Sequence, residues 1–234
     1  MKEKLLRAQA WKYFIPVFCI PQVASHFLIN NYVQTVAEVG DFNVDTFTIR
    51  LAVFLIISML CTIPFYLWMW AVGNELPRYI PEDQRTHPGF FNVALVSSFL
   101  LSGLSSLGIV VGIRNIVNKV TEAIGPGFNL EDFDPTEFDP GELLSLFSEL
   151  YIPLILILIA FVLALYTYYF SAKTISKARA QDKPKFSDNF VNFILHFVFF
   201  GSIWYFQPEI KKVMDNNGNQ NEFDNDITNI DDLI

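Results

Sequence analysis

Charged residues are unevenly spaced along this chain, and the gaps between them predict its architecture. No Asp, Glu, Lys or Arg occurs from Leu51 to Val72, from Thr86 to Ile113, from Leu150 to Ala172 or from Asn189 to Pro208. A helix crosses the hydrocarbon of a bilayer with roughly 20 apolar residues rising about 1.5 Å each, so every gap is long enough to span. The pattern therefore predicts an all-α integral membrane bundle. Its four transmembrane helices fall near Ile49–Val72, Phe90–Ile113, Ile152–Ala172 and Asn189–Phe206, paired as two hairpins.

A fifth apolar stretch, Tyr13 to Ile29, follows the basic residues Lys2, Lys4, Arg7 and Lys12 but is interrupted by Pro16, Pro21, Gln22 and His26. At helical spacing Lys12, Cys19, Gln22, His26 and Asn30 share one side, opposite Phe14, Phe18, Phe27 and Leu28. That pattern suits either an amphipathic interfacial helix or a fifth span whose polar side faces protein. No small-residue cleavage site follows it, which argues against a signal peptide.

Basic residues favour the cytoplasmic side, and counting them bears on this choice. Four spans with the N-terminus inside place nine Lys and Arg inside and seven outside, whereas five spans place eleven inside and five outside. The charge count thus favours five crossings, with the acidic tail outside.

The chain accordingly divides into five segments. Residues 1–46 carry the basic N-terminus and the amphipathic or spanning helix, and 47–120 the first hairpin. Residues 121–150 form an acidic loop with a short helix opening at Asp139-Pro140, 151–214 the second hairpin, and 215–234 an Asn- and Asp-rich tail whose composition predicts disorder. Sliding the chain by 100 residues aligns Ile57 with Ile157, Tyr66 with Tyr166, Phe90 with Phe190, Asn92 with Asn192 and Leu95 with Leu195. The two hairpins therefore read as copies in the same orientation, a parallel repeat.

Within the spans the polar residues are few. Ser98, Ser102 and Ser106 recur every four residues on the second span, followed by Gly108 and Gly112. Small residues at this spacing let helix backbones approach closely in lipid; the alternative is a polar lining to a permeation path. On the fourth span Asn192 and His196 are four apart, and His26 and Gln22 would join them if the first segment crosses. Interhelix hydrogen bonding is the plainest role for these groups, and a proton relay or ligand contact the sharper one. Pro64 should kink the first span by removing a backbone hydrogen bond.

Composition narrows the functional classes further. The chain is 52% hydrophobic and only 17% charged over 234 residues, against about a quarter charged in soluble domains. Its net charge of −8, without a basic aromatic-interleaved face, argues against nucleic acid as a partner. Cys19 and Cys61 have no metal-ligand or CxxC spacing and read as small hydrophobes, and no cofactor motif is present. The acidic loop holds Glu131, Asp132, Asp134, Glu137, Asp139 and Glu142 in no calcium-loop spacing, while Phe128, Phe133 and Phe138 recur every five residues among them and suit docking into a partner's groove.

The run Thr62-Ile63-Pro64-Phe65-Tyr66-Leu67-Trp68, followed by Gly73-Asn74-Glu75-Leu76, resembles span ends in small bacterial multi-pass families of unknown function. It covers one helix end, with prolines where those families often have glycine. The resemblance implies a bacterial inner (plasma) membrane and no particular activity. Three functions remain. The first is a non-enzymatic accessory or scaffold subunit working with other membrane subunits or as a homo-oligomer. The second is an oligomeric channel or small transporter with its path along Ser102, Ser106, Asn192, His196, Gln22 and His26. The third is a lipid-modifying or redox membrane enzyme.

Overall fold

A computed structural model describes residues 2–39, 42–124, 140–180, 186–198 and 203–215. Every element among them is helical. After α1 (Lys2–Arg7), residues 11–39 form one helical run, α2. It widens to π-turns at Ile15–Cys19, ahead of Pro21, which has no N–H to offer the preceding turn, and again at His26–Asn30. Then come α3 (Val44–Glu75), α4 (Gly89–Ile124), α5 (Pro140–Ala180), α6 (Phe186–Val198) and α7 (203–215), with two short 3-10 turns, Leu76–Tyr79 and Glu82–Gln84, between α3 and α4.

Four of these stretches are long and apolar enough to cross a membrane: Lys12–Glu38, Val44–Tyr79, Gly89–Lys119 and Ser148–Arg179. The all-α membrane bundle is thus the fold class. The interrupted N-terminal segment is one of the four. Of the stretch expected as a span, Asn189–Phe206, the structure describes 189–198 in α6 and 203–206 in α7, and residues 199–202 lie outside the described residues. The short helix expected before Leu150 is no separate element, because α5 runs unbroken for 41 residues through Pro153. The acidic tail beyond Asp215 lies outside the described residues.

Helix boundaries follow local chemistry. Asn43 caps α3, its side-chain Oδ1 accepting from the Thr46 N–H at 2.8 Å. Pro64 sits inside α3, and just before it the Thr62 hydroxyl donates to the Met59 carbonyl at 2.7 Å. Pro88 precedes α4 and its carbonyl accepts the Asn92 N–H at 2.9 Å.

The chain forms two compact units. A terminal unit comprises Met1–Pro16, Ile63–Val96 and Leu163–Ile234; a medial unit comprises Val17–Thr62 and Ser97–Val162. In the medial unit the α2–α3 corner is clasped by Tyr32, whose hydroxyl donates to the Asn43 carbonyl at 2.8 Å and accepts the Asn43 N–H at 2.9 Å. Phe42 and Phe47 surround the Tyr32 ring and the Arg50 guanidinium lies 5.0 Å from its centre. Also in this unit, α4 meets α5 where Gly108 faces the Pro153 ring and Gly112 faces Leu150. A β-carbon at Gly108 would meet the Pro153 ring at 2.8 Å, and one at Gly112 would meet the movable end of Leu150 at 2.6 Å and the Glu149 carbonyl oxygen at 3.3 Å, so both glycines sit at a close approach of the two helices.

In the terminal unit, the Phe91 ring stacks on Phe170 with centroids 4.6 Å apart and presses against Gly73. One aromatic joint thereby ties α3, α4 and α5. Of the 23 buried hydrophobic side chains among the described residues, 20 belong to the terminal unit, which therefore carries nearly all of the enclosed core.

Candidate functional site

The polar side chains buried in the terminal unit form the most developed constellation of the molecule. Gln207 of α7 is 3% exposed and fully engaged: its Oε1 accepts from the Trp68 indole N–H at 2.8 Å, and its Nε2 donates to the carbonyls of Leu6 and, at 2.7 Å, Ala8. A buried indole N–H needs an acceptor, and one carboxamide supplies it while also satisfying two carbonyls at the end of α1. The Tyr13 hydroxyl donates to the Leu5 carbonyl at 2.5 Å, with its ring 6.5 Å from that of Trp68. Arg7 adds ion pairs to Asp215 at 2.5 Å and Glu3 at 2.9 Å. The hydrogen bonds, first to Asp215 and then to Glu3, raise the pKa of its guanidinium.

Two further pairs bind helix to helix in this unit. Asn74 and Asn92 exchange amide hydrogen bonds at 2.8 and 3.0 Å, and Asn74 also donates to the Trp70 carbonyl. Asn192 of α6 donates to the Ser176 hydroxyl at 2.6 Å, which donates in turn to the Ala172 carbonyl at 2.9 Å. Lys177 reaches the Gln84 carbonyl at 2.6 Å, and the buried Glu75 pairs with Arg78 at 2.9 Å. Ser171 Oγ and Asn189 Oδ1 are buried without a hydrogen-bond partner among the described residues.

The residues singled out from sequence fall in different units or outside the described residues. Asn192 belongs to the terminal unit, whereas Ser102 and Ser106 belong to the medial unit, where the Ser106 hydroxyl donates to the Ser102 carbonyl of its own helix at 2.8 Å. Ser98 is completely buried in the medial unit. Gln22 and His26 are exposed on α2, where the π-turn hydrogen bond runs from the Asn31 N–H to the His26 carbonyl. His196 lies on α6, but its side chain is outside the described residues, as are Phe128, Phe133, Phe138 and the whole acidic repeat. Cys19 and Cys61 are free thiols, and no group of three or more His, Cys, Asp or Glu among the described residues could hold a metal ion.

A groove of about 190 Å³ opens in the medial unit, lined by Leu55, Ile56, Met59, Leu100, Gly103, Leu104 and Leu107, with Ser106 as the polar contributor to its lining. Its chemistry suits an alkyl chain or an apolar side chain and offers nothing to a polar substrate.

Sequence reasoning passed over Gln207, Trp68, Ser176, Asn74 and Tyr32. Gln207 did carry a signal: it is a carboxamide inside a charge-free apolar stretch, and such a group must find partners. Comparison with protein-family models, with curated protein sequences and with solved structures finds no match.

Proposed function

We propose that the protein is a non-enzymatic accessory or scaffold subunit of a larger assembly in a bacterial inner membrane. The observation that carries this reading is how the buried polar groups are used. Gln207, Asn74, Asn92 and Asn192 each make at least one hydrogen bond to another helix, which fixes the fold rather than presenting groups to a substrate. Outward, α4 presents Val93, Val96, Leu100, Leu104, Leu107 and Val111, and α5 presents Ile152, Leu154, Ile155, Leu158 and Val162, all suited to lipid or to another membrane helix. A rigid element with apolar outer faces matches what a membrane subunit needs in order to brace others.

The test is purification of the tagged chain from its native membrane in mild detergent, beside reconstitution of the pure chain into proteoliposomes. The subunit reading expects a stoichiometric complex of larger mass, and vesicles as tight to ions as protein-free controls. Recovery of the chain alone, together with ion flux abolished by Asn192→Leu, would replace it with the channel reading.

A further inference from the structure

The last two helices and the cations around them point to a second property, independent of the subunit reading. Phe193 of α6 lies 6.2 Å, ring to ring, from Tyr169, and Asn192 bonds Ser176. From α7, Tyr205 and Glu209 approach Arg179 at 3.5 and 3.6 Å, and Gln207 bonds Leu6 and Ala8. Both helices therefore lie against the final turns of α5, and α7 also holds the N-terminus. A single crossing between residues 189 and 206 would carry Gln207 to the opposite side from that start.

The same unit concentrates positive charge. Among the described residues it holds eleven Lys and Arg, against three in the medial unit. The three differ in kind: Arg114 pairs with Asp45 at 2.7 Å, Lys119 with Glu149 at 3.0 Å, and Arg50 covers Tyr32. In the terminal unit, by contrast, Lys4 and Lys211 have no carboxylate partner among the described residues, and Lys173 stands 5.9 Å from the Tyr169 ring centre. In the same unit Tyr169, Trp204 and Tyr205 are 41%, 51% and 46% exposed, and α6 turns Phe190, Val191 and Ile194 outward. Ammonium groups without a carboxylate partner among the described residues, together with exposed Trp and Tyr and an apolar helix face, are what a headgroup layer requires, the cations meeting phosphate and the rings sitting at the lipid–water boundary.

We propose that this cation-rich, aromatic-edged surface binds anionic phospholipid headgroups of one leaflet, and that α6 and α7 stay on that side as a helical hairpin which does not cross. By the charge rule that leaflet is the cytoplasmic one.

Two measurements on the full chain test it. In a Cys19→Ser/Cys61→Ser background, Lys4→Cys, Lys211→Cys and Asn43→Cys are labelled with a membrane-impermeant maleimide in intact and inverted vesicles. Lys4→Cys and Lys211→Cys should react from the same side and Asn43→Cys from the other; reaction of the first two from opposite sides overturns the hairpin. Separately, thermal unfolding is followed in nanodiscs of phosphatidylcholine alone and of an equal mixture with phosphatidylglycerol. The anionic lipid should raise the midpoint, and the triple variant Lys4→Gln/Lys173→Gln/Lys211→Gln should lose at least half of that rise, while Arg114→Gln/Lys119→Gln keeps it. A rise that survives the triple variant, that is absent in the unaltered protein, or that inorganic phosphate reproduces in phosphatidylcholine discs would defeat the headgroup assignment.

Discussion

The two units solve the same problem in opposite ways. The terminal unit encloses Trp68, Phe91, Phe206, Met69 and Ile210 almost completely and threads hydrogen-bonded amides between them. The medial unit buries only Tyr32, Val110 and Ala160 among its described hydrophobic residues and turns its leucines, isoleucines and valines outward. A helix surrounded by hydrocarbon gains nothing from hiding aliphatic side chains, so close backbone contact at Gly108 and Gly112 is what joins it to a neighbour. Chain ends and helix termini cannot be left that way, because their polar backbone groups need partners. The contrast teaches that stability in this chain depends on polar satisfaction in one unit and on steric fit in the other.

The sharpest way to break the comparison is Gln207→Leu. It strips the Trp68 indole and two carbonyls of their partner at once, and we expect a loss of about 3 kcal/mol in detergent-solubilised protein. Thermal unfolding followed by tryptophan fluorescence would check this, and an unchanged midpoint would mean that the amide contributes nothing. Next comes a matched pair of glycines. At Gly73 a methyl group meets the Phe91 ring, held by its stack on Phe170, so Gly73→Ala should cost about 1–3 kcal/mol. At Gly103 it meets only the end of the flexible Met59 side chain at 2.7 Å, and Gly103→Ala should cost under about 1 kcal/mol by the same assay.

Much of this difference is written in the sequence, and part is not. The charge-free tracts announce membrane helices because a charge in hydrocarbon is too costly to be scattered freely. Gly108 and Gly112 can be picked out for the same reason that they matter, since small residues recur where helices touch. The fate of residues 189–206 is not legible: their composition fits a span, and only the bonds from Asn192 to Ser176 and from Gln207 to the N-terminus reveal where the two helices lie. Polar residues that act in pairs, such as Asn74 with Asn92, are likewise invisible without knowing which helices are neighbours. Pro16 and Pro21 argue against a first span, yet α2 absorbs them through a widened turn and remains long enough to cross.

Two smaller effects sharpen the comparison. Asn74→Leu and Asn92→Leu should each destabilise more than half as much as the double variant, with a coupling of about 0.6–1.7 kcal/mol in a double-mutant cycle of unfolding free energies. Strict additivity would show that the reciprocal bond is idle. Arg114→Ala, which removes a well-exposed ion pair to Asp45 in the medial unit, should shift stability by no more than about 0.5 kcal/mol, less still at high salt.

The Tyr32 clasp has a consequence for how the chain is made. Its bonds link residues only 11 apart, so the first two long helices can close into a hairpin while the ribosome is still extending the third. The Gln207 bond to Leu6 joins residues 201 apart and must wait until α7 has been synthesised. Membrane insertion therefore begins with a locally sealed corner, and α1 waits for its Gln207 anchor until all four long helices have been made.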